Sequence, residues 1–115
     1  MKLQFNQELI TIRTKNRSIA ELSLMDSDLV LDLFVMPEKM PLYMFNRISV
    51  IPAMQGKGDG KILLDEVCRI ADLYQFAIFL GINSYGRMNT EDLRSWYIRH
   101  NWIDLGNKLM VRFPK

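Results

Sequence analysis

Val50-Ile51-Pro52-Ala53-Met54-Gln55-Gly56-Lys57-Gly58-Asp59-Gly60-Lys61 decides the reading of this chain. An apolar run, residues 42–51, ends in a short segment with three glycines, and a helical pattern follows at once. Glycines in such a loop let successive backbone N–H groups face one point without a Cβ in the way. The first turn of the helix adds N–H donors that have no intrahelical partner, together with the positive end of the helix dipole. The product is a cradle for a phosphate or pyrophosphate.

Three phosphate-binding patterns compete for this stretch. A P-loop, G-x-x-x-x-G-K-[ST], would need glycine at position 55 and a hydroxyl at 62, where the chain has Gln55 and Ile62. A dinucleotide fingerprint, G-x-G-x-x-G, fits Gly56 and Gly58 but needs a third glycine where Lys61 stands. The pattern Q/R-x-x-G-x-G/A is matched by Gln55, Gly58 and Gly60.

Downstream of the loop the apolar residues recur at Ile62, Leu63, Val67, Ile70, Ala71 and Tyr74, one face of a helix. The other face carries Lys61, Asp65, Glu66, Arg69 and Asp72, with Lys61–Asp65 and Asp65–Arg69 at the i,i+4 spacing of ion pairs. Phe76 to Ile82 is a compact apolar run and reads as a buried strand. Asn83-Ser84-Tyr85-Gly86 reads as a loop. Asn89 or Thr90 can cap a second helix, whose first turn holds Glu91 and Asp92 and whose apolar face is Leu93, Trp96, Tyr97 and His100. Lys108 to Phe113 closes as a strand. Upstream, residues 2–13 alternate as one half-buried strand, Lys15-Asn16-Arg17 turns, Ile19 to Leu24 forms a second strand and Leu29 to Met36 a third. With residues 42–51 these predict a four-stranded antiparallel meander. The whole is a single α/β (α+β) domain, residues 1–115, with a mixed, mainly antiparallel sheet and two main helices in the order ββββαβαβ.

Composition narrows the function. A net charge of +2 over 115 residues, 15 basic against 13 acidic, disfavours nucleic acid and anionic membrane as partners. Cys68 and His100 are the sole cysteine and histidine, so a protein-only zinc site and an internal disulfide are not expected. No apolar run reaches the length of a membrane helix, and residues 1–15 lack the continuous apolar core of a signal peptide. The expected setting is reducing and cytoplasmic.

Two segments together resemble the GCN5-related N-acetyltransferase (GNAT) family. VIPAMQGKGDGKILLDEV is similar to the family's strand-loop-helix that holds the pyrophosphate of acetyl-coenzyme A (acetyl-CoA). LRSWYIRHNWIDLG is similar to its xxYxxxGF helix and strand start, with Asn101-Trp102 in place of Gly-Phe. The element order agrees over about residues 42–113, and small phage-encoded acetyltransferases share the acidic-Leu-aromatic-Tyr stretch.

The resemblance implies transfer of an acetyl group from acetyl-CoA to a primary amine, a protein lysine or N-terminus, with no metal. Ile48, Ser49 and Val50 would be the strand end whose backbone meets the pantetheine arm and the acetyl carbonyl. Gln55, Gly56, Lys57, Gly58, Asp59, Gly60 and Lys61 would form the pyrophosphate cradle. Tyr97 matches the tyrosine that protonates the leaving thiolate, a role suited to a hydroxyl that keeps its proton at neutral pH. Full members carry helices between their first two strands. Lys15-Asn16-Arg17 leaves no room for them, which implies an open acceptor groove suited to a protein. Last-strand pairing within the family implies a homodimer contact at residues 107–115.

Plainer readings stand beside these. Tyr97 sits among Leu93 and Trp96 as a core aromatic would, His100 suits a helix C-terminus, and Cys68 suits a small buried hydrophobe. Glu21, Asp28 and Asp32 lie on or beside the early strands, and spacing selects none of them as a base. Asp59 inside the cradle, and Thr90 where the family often has asparagine, point to the alternative of a catalytically inactive module of the same fold that binds proteins or senses coenzyme A.

Overall fold

The structure is a computed structural model, and it describes residues 2–5, 8–25, 40–50, 58–82 and 90–115. Nine elements lie in these segments. They are β1 (Lys2–Phe5), β2 (Leu9–Arg13), β3 (Ile19–Met25), β4 (Leu42–Ser49), α1 (Asp59–Tyr74), β5 (Ala77–Gly81), α2 (Thr90–Arg99), β6 (Ile103–Gly106) and β7 (Leu109–Arg112). The strands form one sheet in the order β1-β2-β3-β4-β5-β7-β6. All neighbours are antiparallel except β4 and β5, which run parallel and are joined through α1. A parallel pair needs such a crossover, and this one places the start of α1 beside the end of β4.

The mixed sheet and two helices agree with the sequence, but the described strands differ in two places. Residues 2–13 are two paired strands, with Phe5 opposite Ile10 and Lys2 opposite Arg13. The cause is legible in the change of parity, from Leu3 and Phe5 to Ile10 and Ile12, across the polar Asn6-Gln7-Glu8. The strand expected at Leu29–Met36 lies outside the described residues, and β3 pairs directly with β4. Residues 103–106 add the edge strand β6, because the turn Gly106-Asn107-Lys108, with φ of 81°, 53° and 62°, folds them back on β7. Left-handed backbone at Gly and Asn is the usual route to a tight hairpin.

The main core lies between one face of the sheet and both helices. Ile10, Ile12, Ala20, Leu22, Tyr43 and Phe45 pack against Leu63, Leu64, Val67, Ile70 and Ala71 of α1 and Leu93 and Tyr97 of α2. The buried stripe of α1 is rotated from the expected one. Leu64 is buried, whereas Ile62 is 48% and Tyr74 50% exposed. Lys61 pairs with Asp65 at 2.7 Å as expected, but Arg69 pairs with Glu66, one turn back at i,i+3, and not with Asp65. A smaller cluster of Leu42, Ala77 and Phe79 occupies the opposite face.

Each helix ends in a left-handed residue. Gln75 closes α1 with φ 55°, its N–H bonded to the Ala71 carbonyl. Asn101 closes α2 with φ 69°; its N–H donates to the Ile98 carbonyl at 3.1 Å and that of Trp102 to the Tyr97 carbonyl at 3.1 Å. These two bonds are the Schellman arrangement, usually built on glycine. Asparagine serves because it tolerates left-handed backbone better than other side chains do. Among the described residues no helix is long and apolar enough to cross a membrane.

Candidate functional site

The site begins where β4 and β5 part. Their pairing covers Leu42, Tyr43 and Met44 opposite Ala77, Ile78 and Phe79, and no further. β4 continues to Ser49 and β5 to Gly81, so Phe45–Ser49 and Leu80–Gly81 border a wedge between two parallel strands. β5 is held on its far side by β7, with Leu80 opposite Met110 and Gly81 opposite Leu109. β4 is held on its far side by β3 as far as Ser49 opposite Ile19. Each wall of the wedge is therefore fixed from behind.

A bulge shapes one wall. Glu21 stands opposite Arg47 and Leu22 opposite Phe45, which leaves Asn46 as an extra residue in β4. A bulge bends its strand and adds local twist. The Asn46 side chain accepts a hydrogen bond from Ser23 Oγ at 3.0 Å, and Arg47 forms an ion pair with Glu21 at 3.2 Å. The sequence held one signal for this, a polar Asn46-Arg47 inside an otherwise apolar strand.

Ile48 and Ser49 end β4, two residues short of the expected strand end, and Val50 follows directly. Ile48 packs on the core, Ser49 is exposed and Val50 is buried. A Cβ added to Gly60 would stand 4.0 Å from Val50 Cγ2, which puts the first turn of α1 directly over the strand end. Gly58 precedes the helix with φ 89°, and its carbonyl accepts from Ile62 N–H at 3.0 Å. Among the described residues no side chain caps this end, where helix geometry leaves the first N–H groups without an intrahelical partner. A Cβ on Gly58 would meet nothing within 4 Å. The opening of the wedge thus adjoins a helix N-terminus that no described side chain caps. Asp59 is the first residue of α1, and Lys61 is exposed and paired with Asp65. Gln55, Gly56 and Lys57 lie outside the described residues, as do Asn89, Asp28 and Asp32.

Tyr97 is 7% exposed and belongs to the main core. Its ring meets Trp96 and Trp102 edge-on, each at 5.2 Å between centroids. The Trp102 contact is the apolar partner of the Schellman turn, so the helix end itself fixes the Tyr97 ring. Burial pushes the hydroxyl up to about 12, helped by the nearby Cys68. His100 accepts its expected place at the helix end, with Nδ1 2.7 Å from the Trp96 carbonyl. Cys68 is half-buried against the core, and burial pushes its thiol up, which suits packing and not nucleophilic attack. Among the described residues no cluster of His, Cys, Asp and Glu could hold a metal ion.

Solved structures share this architecture. The anti-CRISPR protein AcrVA5 superposes with a TM-score of 0.62 at 16% identity, covering 91% of this chain and 98% of its own. A histone acetyltransferase HPA2 and related acetyltransferase from Corynebacterium glutamicum gives 0.62 at 18% identity, over 93% of this chain and 64% of its own. The fold is that of the GNAT acetyltransferases. The GNAT-fold N-acetyltransferase YlbP of Bacillus subtilis, solved with coenzyme A, gives 0.53 at 16% identity over 92% of this chain and 67% of its own. No protein-family model and no curated protein matches the sequence.

Proposed function

We propose that the chain transfers an acetyl group from acetyl-CoA to a primary amine of a protein, a lysine side chain or an N-terminus. The observation that carries this is the wedge between β4 and β5 with the uncapped start of α1 at its opening. A GNAT-fold neighbour solved with coenzyme A adds support for a ligand of that type.

Each residue then has a defined task. Backbone N–H groups at Gly58, Asp59, Gly60 and Lys61, with the preceding Gln55, Gly56 and Lys57, bind the pyrophosphate. Main-chain groups of Ile48, Ser49 and Val50 orient the pantetheine arm and polarise the acetyl carbonyl by a strand N–H. Acetyl-CoA, when bound, supplies an activated thioester. Tyr97 holds a proton through the whole physiological range and gives it up to a departing thiolate. β1 ends at Phe5 and β2 begins at Leu9, too short a link for the helices that full members carry between their first two strands, which supports an open acceptor side. An open groove suits an amine presented by a protein.

A second reading, a module of this fold without turnover, is favoured by Asp59, which opens the helix where an anion would sit. Titration calorimetry with acetyl-CoA, coenzyme A and NAD, followed by mass spectrometry of a protein incubated with the chain and acetyl-CoA, separates the two. Saturable binding of acetyl-CoA over NAD with acetylated lysine supports the transferase. Binding without acetylation supports the module, and no binding removes both the cradle and the transferase.

A further inference from the structure

The rim beside the end of β4 is basic. Arg13 ends β2, Lys15 and Arg17 sit in the turn that follows, and Arg47 lies in β4. All four are exposed. Among the described residues Arg13, Lys15 and Arg17 form no ion pair, and only Arg47 has one, with Glu21. Register brings these cations to the reaction centre. Arg13 stands opposite Ile19, and Ile19 opposite Ser49, the last residue of β4. Strands lie about 4.8 Å apart, so Arg13 is about 10 Å across the sheet from the strand end. Lys2 stands opposite Arg13 at the next position outward.

The turn is built to hold its shape. Thr14 N–H donates to the Ser18 carbonyl at 2.9 Å and Arg17 N–H to the Thr14 carbonyl at 3.1 Å. Thr14 Oγ1 accepts from the N–H groups of Asn16 and Ser18, both at 3.2 Å. Arg17 is fixed in left-handed backbone with φ 65°. A turn locked by four hydrogen bonds presents Lys15 and Arg17 without an ordering cost at the moment of binding.

From this we infer that the acceptor is an acidic protein segment, docked on the rim of Arg13, Lys15, Arg17 and Arg47 with its amine at the end of β4. The inference rests on the acetyl-transfer reading of the wedge. An extended chain advances about 3.4 Å per residue, so acidic residues three or four positions from the acceptor lysine reach the rim. A basic rim next to the site also works against acceptors with basic flanks, which like-charge contact penalises.

The test uses fluorescently labelled peptides with one lysine flanked by Asp and Glu, by Gln and Ser, or by Lys and Arg, followed by anisotropy against the whole chain. The acidic peptide is expected to bind about tenfold or more tighter than the neutral one and to lose that advantage as KCl rises from about 50 to about 300 mM. The exposed pair Lys15→Glu and Arg17→Glu should lower acidic-peptide affinity about tenfold and leave acetyl-CoA titration unchanged. The salt series on the unaltered chain gives an independent readout if that variant folds poorly. Equal binding of neutral and acidic peptides, or tighter binding of duplex DNA than of the acidic peptide, overturns the inference. A parallel loss of acetyl-CoA affinity in the variant also overturns it, by assigning the rim to the coenzyme. Tight acidic-peptide binding in a chain that does not bind acetyl-CoA upholds the rim and removes the transfer reading instead.

Discussion

The two ends of α1 are built on opposite plans. At its start no side chain among the described residues caps the helix: Gly58 is left-handed, and no described atom lies within 4 Å of its Cβ position. At its end the chain is fastened repeatedly. Asp72 accepts hydrogen bonds from Arg112 Nη2 at 3.0 Å and Lys115 N–H at 2.9 Å, and Gln75 donates to the Lys115 carbonyl at 3.1 Å. Helix ends left bare cost stability and gain binding capacity, because the same unpaired N–H groups that need a partner can donate to a ligand's oxygens. The fold concentrates polar fastening where α1 meets the last strand and leaves the other end for chemistry.

The sharpest way to break this contrast is at the fastened end. Asp72→Ala leaves Arg112, 4% exposed, with neither guanidinium terminus paired, since Nη1 has no partner among the described residues. The expected loss is about 2–3 kcal/mol, somewhat under the cost of stranding a charge in a fully enclosed pair, because the Asp72 side chain is 31% exposed. Urea denaturation measures it, and acetyl-CoA affinity should stay as it was. A pH series sharpens the same point. Burial raises the Asp72 carboxyl, but the bonds from Arg112 and Lys115 and their charges outweigh it and hold the group below its ordinary value. Its contribution is present above the ordinary carboxylate range and is lost as pH falls below about 4. Asp72→Asn should flatten that acid limb. An unchanged limb would place the acid sensitivity in another carboxylate.

Tyr97 lies between the two plans, buried like the fastened end yet assigned to the chemistry of the open one. Tyr97→Phe keeps the ring on Trp96 and Trp102, so its stability cost should stay under about 1 kcal/mol. Turnover should fall about 100-fold with acetyl-CoA affinity kept, as loss of a proton donor predicts. Undiminished turnover would make Tyr97 a packing residue. The raised hydroxyl also has a thermodynamic signature. Its stabilising contribution is whole below pH 10 and is lost as pH rises toward about 12, and Tyr97→Phe should remove that part of the alkaline unfolding.

What the sequence made legible follows the same division. Periodicity marked both helices, because burial on one side leaves a repeating apolar pattern, and a continuous apolar run marked β5, which is buried almost throughout. The left-handed end of α2 was readable from Asn101 alone. The fastened end of α1 was not, since Asp72 and Arg112 are forty residues apart and nothing local pairs them. The wedge was equally hidden: where two parallel strands stop pairing depends on the bulge at Asn46 and on what holds each strand from behind, and both are properties of register. The stripe of α1 was misplaced by Ile62 and Tyr74 because they lie near the helix ends, where apolar residues continue the period but the sheet no longer covers them.

The smallest expected effect is the finest test of the open end, since it compares two glycines two residues apart. Gly58 has φ 89°, so Gly58→Ala forces a side chain into left-handed backbone at a cost of about 1 kcal/mol. Gly60 lies inside α1, and its added Cβ meets Val50 Cγ2 at 4.0 Å, ordinary contact. Gly60→Ala therefore gains helix propensity and a contact without a clash, and should stabilise the chain by about 0.5–1 kcal/mol. The ligand readout should divide the other way from a simple count of lost glycines. The Gly60 Cβ points at the strand end and spares the first-turn N–H groups, so acetyl-CoA affinity should hold. The Gly58 Cβ enters the space beside those groups, so affinity should fall. Equal affinities in the two variants would mean that the anion sits elsewhere, and the bare end of α1 would then be only an uncapped helix.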